Sequence, residues 1–295
     1  MAKLNLDQLQ TFAQVIKQGS FSSAGTTLGL TQPAVSLQIR QLERSLNVKL
    51  IERVAKRIRP TAAGTVLLEH HRRINAAVDE ALNDMASHSS DIMGNVLIGT
   101  GATACIHLLP PILRELKYTY PLLNVGVRTG NTGDMVRAVE ENRLDIALIT
   151  LPAAGRNVLI TPLLQDEFVA IFPATHPDLP AELSPGALRD YPLVVFESGS
   201  STRLLIDSWF QQAGITSSPI MELGSIEAIK EMVAAGLGFS IVPRMSLAAH
   251  TPFPGIVHRT LFPSLERTLG IALRQDKPLN KGLQKVINRL NDLQY

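Results

Sequence analysis

The stretch SFSSAGTTLGLTQPAVSLQIRQLERSL, residues 20–46, predicts two helices joined by a tight turn. Ser20 is a suitable N-cap for a short helix that ends at Leu28, and Gly29 supplies the turn. Thr31 can cap the next helix, whose first turn tolerates Pro33 because an amide there has no intrahelical partner. Two short helices around a glycine turn form the helix-turn-helix pattern of DNA-binding proteins.

The second of these helices has two different faces when its residues are placed about 100° apart. One face is apolar and is expected in the core: Val35, Ile39, Leu42 and Leu46. The opposite face carries Pro33, Ser36, Leu37, Arg40 and Arg44. Arginine and serine can bind phosphates or base edges, and leucine can contact a thymine methyl group. This face is therefore predicted to meet DNA.

The sequence on either side of the pair supports the same interpretation. Upstream, Leu6, Leu9, Phe12 and Ile16 recur at helical spacing, and Gly19 can end that helix. Downstream, LIERVAKRIRP (residues 50–60) predicts a hairpin wing with a basic tip at Arg53, Lys56, Arg57 and Arg59. Residues 1–60 hold nine Lys and Arg against three Asp and Glu, whereas the remainder holds 19 against 23. A basic module of this kind suits a polyanion, although a solvated surface is the alternative for the charge alone.

Residues 1–64 resemble the winged helix-turn-helix of LysR-type transcriptional regulators. The matching segments are LDQLQTFAQVIKQGSFSSA (6–24), LTQPAVSLQIRQLERSLNVKLIER (30–53) and RPTAAG (59–64). The resemblance implies that Gln32, Pro33, Ser36 and Arg40 face DNA and that Arg53 lies near the wing. Leu37 stands where many family members have arginine, so its base preference is not carried over.

Residues 61–87 predict one long helix with Thr61 as its N-cap. A stripe at helical spacing runs along it: Leu67, Ile74, Val78, Ala81 and Met85. The stripe favours a partner helix from a second chain, and packing on its own domain is the alternative. The resemblance implies dimerisation through this helix. Residues 88–94, HSSDIMG, are expected to form a hinge.

The remainder alternates short β-branched runs with helical patterns, which predicts an α/β domain with a largely parallel sheet. Expected strands cover 96–100, 125–128, 146–150, 168–172, 193–196, 239–243 and 269–273. Expected helices cover 106–120, 133–141, 202–213, 226–235 and 281–293. The resemblance implies a periplasmic-binding-protein-like fold of two subdomains, 93–163 with 267–295, and 164–266. The domains are then 1–60 (DNA-binding), 61–92 (linker helix and hinge) and 93–295 (effector-binding).

Small polar residues follow several of the predicted strands, where helix starts supply free amides for an anion. The candidate effector residues are Thr100, Gly101, Thr103, Asn131, Thr132, Ser200, Thr202, Arg203 and Ser225. Helix capping is the alternative for any single Ser or Thr, and Arg203 could equally be a surface charge. The resemblance implies a small-molecule effector between the subdomains, with a carboxylate or another anion favoured.

Two rival functions remain at this point. VLIGTGATA (96–104) imitates a dinucleotide-binding fingerprint. The acidic residue that would confirm the fingerprint is absent, and Arg128 stands in its place. An arginine there would favour the 2′-phosphate of NADP, so an NADP-responsive sensor is one rival. A solute-binding protein or enzyme with an incidental N-terminal module is the other rival. No catalytic constellation emerges, Cys105 is expected to be a buried structural thiol, and no cofactor or metal is predicted.

Composition bounds the remaining possibilities. The chain has 295 residues, 45% hydrophobic and with one cysteine, which excludes general disorder and a disulfide framework. No apolar run approaches the roughly 18 residues of a membrane span, and MAKLNLDQLQ lacks a signal core. We therefore expect a cytoplasmic regulator, not an enzyme, whose partners are a double-stranded DNA operator, a small-molecule effector and further copies of itself as a homodimer or homotetramer. Contact with RNA polymerase stays open.

Overall fold

The computed structural model describes residues 4–54, 57–87, 92–175, 179–180, 182–247, 253 and 255–293. It divides into two compact units, Met1–Ala81 and Leu82–Tyr295. No helix among the described residues is both long and apolar enough to cross a membrane.

The first unit begins with three short helices, as the sequence predicts: α1 (Leu6–Gln18), α2 (Phe21–Leu28) and α3 (Gln32–Leu46). Each has a side-chain cap, because Asn5, Ser20 and Thr31 accept hydrogen bonds from first-turn amides. Gly19 and Gly29 end α1 and α2 in the left-handed conformation that glycine adopts most easily. The helix-turn-helix prediction is confirmed.

The core of this unit forms where the apolar faces of the three helices meet. Leu9 and Phe12 of α1 pack with Val35, Ile39 and Leu42 of α3, all of them buried. Leu46, also predicted to be core, is partly buried. The core residues of α3 therefore lie opposite its proposed DNA-facing surface.

A two-stranded antiparallel wing follows, made of β1 (Ile51–Val54) and β2 (Arg57–Pro60). Ile51 and Ile58 pack against the three-helix core. The hairpin prediction is confirmed, and Lys56 at its expected tip lies outside the described residues.

The long helix α4 (Ala62–Ser87) carries the predicted stripe, but the stripe has two different parts. The hydroxyl of Thr61 accepts the Gly64 amide at 3.0 Å, so the predicted N-cap is confirmed. Leu67 and Ile74 pack against the core of the first unit. Val78 and Met85, farther along, are 40% and 65% exposed. Among the described stripe residues, the second part is thus the more exposed one. Four residues of the expected hinge, 88–91, lie outside the described residues.

The second unit begins with strands and helices in alternation. They are β3 (Gly94–Thr100), α5 (Ala102–His107), α6 (Leu109–Thr119), β4 (Leu123–Thr129), α7 (Thr132–Glu140), β5 (Ile146–Thr150) and β6 (Val158–Pro173). The single helix expected over 106–120 is wrong, because Leu108 separates two helices. Pro110 lies in the first turn of α6, where proline starts a helix readily and cannot continue one.

The chain continues through shorter elements and closes with a strand and a helix. They are β7 (Glu182–Leu183), α8 (Pro185–Leu188), β8 (Leu193–Phe196), α9 (Ser201–Gln212), β9 (Pro219–Leu223), α10 (Ile226–Ala234), β10 (Ser240–Pro243), a 3₁₀ turn (Arg244–Leu247), β11 (Ile256–Leu261), β12 (Glu266–Arg274) and α11 (Lys281–Asn291). Sequence patterns missed β7, β9 and β11.

The sheet is mixed, so the expectation of a largely parallel sheet is wrong. Strand β3 is parallel to β4 and β5, but β12 is antiparallel to both β5 and β6. Strand β6 pairs with β12 from Val158 to Glu167 and with β10 and β11 from Phe168 to Pro173. Strand β12 returns beside β5 and β6 in the opposite direction, and this return produces the antiparallel pairs.

Three groups of buried side chains define two lobes, and two of these groups belong to the first lobe. In the first lobe, α5–α7 and α11 pack against β3–β5, with Ile98, Leu109 and Val286 at the centre. In the second lobe, α9 and α10 pack against β6, β8 and β10, with Phe172, Val195 and Phe239 fully or almost fully buried. Strands β6 and β12 connect the two lobes, so that the lobes face each other.

Candidate DNA interface and effector cavity

The proposed DNA-facing side of α3 is exposed in the first unit. Gln32, Pro33, Leu37 and Arg40 are exposed, and Ser36 is half-buried. The Gln32 side-chain amide donates to the Ser36 hydroxyl at 2.8 Å, which holds the two polar groups together. Arg40 has no ion-pair partner among the described residues, so its charge is available for a phosphate or a guanine.

The wing arginines divide between the two faces of the hairpin. In the register of β1 and β2, Arg53 lies opposite Ile58, while Val54 and Glu52 lie opposite Arg57 and Arg59. Residues opposite each other share a face, so Arg53 is on one side and Arg57 and Arg59 on the other. Arg53 joins Ser36 and Arg40 in a shallow depression between α3 and β1. The structure therefore brings Arg53 to the proposed DNA-facing surface of α3 and keeps Arg57 and Arg59 apart from it.

A buried carboxylate fixes the wing to α3. Glu43 accepts the Leu50 amide at 2.9 Å and the Ile51 amide at 3.4 Å, and it pairs with Lys49 at 2.8 Å. Burial alone would raise the pKa of Glu43, but the hydrogen bonds from Lys49 and the two amides outweigh it and lower that pKa. Sequence reasoning missed this residue, although a glutamate next to the apolar face of the helix was a visible signal.

The second unit encloses a cavity of about 390 Å³ where the two lobes face each other. Its walls come from the ends of β4, β5 and β8, from the starts of α5, α7 and α9, from the loop after β9, and from β12. The lining residues are Gly101–Ala104, Thr129–Thr132, Asp134, Met135, Leu148–Thr150, Phe196, Glu197, Ser200–Thr202, Gly224, Arg267 and Leu269. A volume of this size suits a small organic molecule.

Six of the nine predicted effector residues line this cavity: Gly101, Thr103, Asn131, Thr132, Ser200 and Thr202. Thr100 is fully buried just before Gly101, and its hydroxyl has no hydrogen-bond partner among the described residues. Ser225 follows the lining residue Gly224 and caps α10. Arg203 does not line the cavity. Its guanidinium pairs with Asp207 at 2.8 Å and with Glu222 at 3.0 Å, which ties α9 to β9.

Three of the predicted polar side chains act as helix caps. Asn131 accepts the Asp134 amide at 2.8 Å, and Ser200 accepts the Arg203 amide at 3.1 Å. Ser225 accepts the Ala228 amide at 3.5 Å. Each cap accepts one amide, but the first four amides of a helix have no acceptor within the helix. The starts of α7 and α9 thus bring amide donors to the cavity wall.

Two polar contacts join the lobes beside the cavity. The Ser201 hydroxyl lies 3.3 Å from the Thr132 hydroxyl, which connects the starts of α9 and α7. His107 at the end of α5 lies 3.2 Å from Glu227 in the first turn of α10. Both contacts involve helices that begin at the cavity, so a change in the separation of the lobes would alter them.

Arg267 is a buried, charged cavity residue that sequence reasoning missed. It lies on β12, it is 6% exposed, and its Nε donates to Asp166 at 2.9 Å. Its Nη2 lies 2.8 Å from the same Asp166 oxygen but is not aligned to donate to it, so this nitrogen has no hydrogen-bond partner among the described residues. Burial lowers the pKa of Arg267, and Asp166 opposes that effect. A charged residue two positions before the apolar run LGIAL (269–273) was its only sequence signal.

Comparison with known families matches both units. The model of the "Bacterial regulatory helix-turn-helix protein, lysR family" matches residues 6–65, and that of the "LysR substrate binding domain" matches residues 90–294. The chain belongs to the LysR family of transcriptional regulators. It is therefore a DNA-binding transcriptional regulator with an effector-binding domain, and the resemblance seen in the sequence is confirmed.

Curated LysR relatives match over most of their length. The regulator CbbR of Xanthobacter flavus is 33% identical over 83% of this chain and 74% of its own. The activator CmpR of Synechocystis sp. (strain PCC 6803) is 31% identical over 84% and 82%. Among solved structures, full-length CbnR complexed with its target DNA has a TM-score of 0.77 at 20% identity, covering 97% of this chain and 99% of CbnR. At 20% identity, this similarity shows a shared fold and nothing more.

Proposed function

We propose that this LysR regulator binds operator DNA through Gln32, Pro33, Ser36, Leu37, Arg40 and Arg53, with Arg57 and Arg59 contacting the flanking backbone. A small acidic effector in the 390 Å³ cavity controls that binding. The observation that carries the effector assignment is the Thr100 hydroxyl, which is buried directly before the cavity residue Gly101 and has no hydrogen-bond partner among the described residues. The guanidinium of Arg267, ion-paired with Asp166, belongs to a second residue of the cavity lining.

The chemistry of these atoms favours an anionic group. A buried donor without an acceptor costs about 1–3 kcal/mol, which a ligand that supplies the acceptor would recover. A guanidinium nitrogen and the amides at the starts of α7 and α9 are donors that suit a carboxylate or a single phosphate. Asp134 and Glu197 also lie at the cavity, and they would repel the several phosphates of NADPH more strongly than the single charge of a small carboxylate. The dinucleotide alternative is therefore less favoured.

The effector would act by stabilising one arrangement of the lobes, subdomain one (93–163 with 267–295) and subdomain two (164–266). A ligand shifts an equilibrium only as far as it binds the two arrangements differently. The contacts Ser201–Thr132 and His107–Glu227 connect the lobes beside the cavity and would respond to that shift. In an oligomer, the spacing of the DNA-binding units and the bend of the operator would change with it.

Assembly into a homodimer or homotetramer is part of the proposal. The exposed end of the α4 stripe, Val78, Ala81 and Met85, offers an apolar surface to a second copy of α4. Two DNA-binding units held in this way can bind two half-sites of one operator. Family membership also supports action in the cytoplasm, where bacterial DNA is held, contact with RNA polymerase and a role without catalysis.

A thermal-shift experiment on the full-length chain tests the effector assignment. The probes are small carboxylates, inorganic sulfate and phosphate, and NADPH. A ligand at 100 times its dissociation constant stabilises the protein by roughly 2.7 kcal/mol. Thr100→Val removes the unpartnered hydroxyl and keeps the shape, so it should leave the unliganded protein as stable and abolish the ligand shift.

Ser240→Ala is the matched control, because the Ser240 hydroxyl is also buried without a hydrogen-bond partner among the described residues. Neither Ser240 nor its chain neighbours line the cavity, whereas Thr100 directly precedes the lining residue Gly101. The Ser240→Ala variant should keep the full ligand shift. Equal shifts in wild type and Thr100→Val would contradict the proposed site. A response to NADPH alone would instead favour the dinucleotide alternative.

A further inference from the structure

Leu37 is an apolar side chain on the surface that α3 is proposed to present to DNA. Its exposed fraction is 49%. Helical spacing puts Pro33 and Arg40 on the same face, and the buried Val35 and Ile39 on the other. Exposure alone is not informative, since Leu6 on α1 is 51% exposed. The surroundings of Leu37 distinguish it, because polar and cationic groups suited to DNA adjoin it.

The major groove offers such a side chain only one apolar group. Each base pair presents hydrogen-bond donors and acceptors at its edge, and thymine adds a C5-methyl group. Leucine cannot donate or accept a hydrogen bond. If it covered a polar base edge, it would remove water from that edge and supply no replacement. Against a thymine methyl, both apolar groups leave water together.

We propose that Leu37 recognises a thymine in each operator half-site by packing against its C5-methyl group. The proposal rests on the proposed DNA-binding role of α3 and assigns one base to one side chain. Loss of one buried methyl group is expected to weaken binding about fourfold, which corresponds to roughly 0.8 kcal/mol. Ser36 and Arg40 remain free to bind polar base edges and phosphates.

The test uses the full-length chain and DNA duplexes that it selects from a random-sequence pool. Each thymine of the selected site is replaced, one at a time, by deoxyuridine, which lacks only the methyl group. Affinity is measured by fluorescence anisotropy. Wild type should lose about fourfold at one thymine in each half-site, and Leu37→Ala should bind the thymine and deoxyuridine duplexes equally at that position.

Two further variants sharpen the result. Leu37→Arg should select guanine at the same position, because arginine pairs with the two acceptors of a guanine edge. Leu6→Ala removes an equally exposed leucine from α1 and should keep the wild-type deoxyuridine pattern.

The proposal is overturned if no thymine of the selected site is sensitive in wild type. It is also overturned if Leu37→Ala keeps the wild-type sensitivity at every thymine. Failure of the chain to select any DNA sequence would overturn the DNA-binding proposal itself, and this one with it.

Discussion

Glu43 of α3 accepts the backbone amide of Leu50 at 2.9 Å, immediately before the first strand of the wing. The same carboxylate holds Lys49 and the Ile51 amide. Helix α3 and the wing are thus joined by one buried side chain. The position of Arg53 relative to Arg40 depends on these hydrogen bonds of Glu43.

Replacing Glu43 by Ala should destabilise the first unit by about 1–3 kcal/mol, because the buried Leu50 amide loses its acceptor. Operator affinity should also fall as the wing loses its anchor. Hydrogen exchange of the α1–α3 amides in the full-length chain measures the stability, and anisotropy measures the affinity. Glu52→Ala, an exposed acid of β1, is the control and should change stability by no more than about 0.5 kcal/mol.

The contribution of Glu43 should depend on pH. Its pKa is lower in the folded chain than the ordinary value of 4.5, so the stabilisation is fully present above 4.5 and is lost as the pH falls through the folded pKa. The difference in unfolding free energy between wild type and Glu43→Gln should therefore shrink below pH 4.5. Paired exchange measurements at neutral and acidic pH check this. A difference that grows on acidification would contradict the assignment.

Variants of the Arg267–Asp166 pair should distinguish its effect on folding stability from its effect on effector binding. Arg267→Met alone leaves a buried carboxylate unpaired and should cost about 3–5 kcal/mol. Asp166→Asn combined with Arg267→Met removes both charges and keeps an oxygen for the Met245 amide, which Asp166 accepts at 3.1 Å. The double variant should regain much of that stability in urea denaturation yet show no effector shift. Recovery of the effector shift would exclude Arg267 as an anchor.

The exposed part of α4 should control assembly. Met85→Glu puts a charge on the exposed end of the stripe and should shift the chain toward monomer in sedimentation equilibrium, with weaker operator binding as a result. Val66→Glu makes the same change at a 54% exposed position of α4 outside the stripe. An unchanged mass for both variants would argue against dimerisation through this surface.

Arg40→Ala should weaken operator binding and show what Arg40 contacts. If Arg40 binds a phosphate, all sequences should weaken alike and the salt slope should fall by about 1. If it binds guanine, one position should lose specificity at a cost of about 1–3 kcal/mol. Lys17→Ala, an exposed cation at the end of α1, is the control. Unchanged affinity and salt slope in Arg40→Ala would remove Arg40 from the interface.

Local rules predicted the first unit well. Asn5, Ser20 and Thr31 start their helices through hydrogen bonds within three residues, and Gly19 and Gly29 end theirs. Such interactions join residues that are close in sequence, so they can be inferred from a short stretch of sequence. The starts of α7 and α9 were predictable for the same reason.

Long-range pairing set the limit of prediction. Arg267 and Asp166 are 101 residues apart, and nothing near either one indicates that β12 returns beside β6. The sheet direction failed for the same reason, since the antiparallel pairs join strands far apart in sequence. Glu43 is closer to Leu50, but its role depends on burial by three helices and a wing, which periodicity does not specify.

Strand β6 has a consequence for how this domain can be divided. Because one continuous backbone pairs with β12 at one end and with β10 and β11 at the other, each lobe lacks part of its sheet without the other. A protease cut or an exchange of one lobe between relatives would have to sever that strand. The second unit is therefore expected to unfold as one cooperative piece, although its buried side chains form three separate clusters.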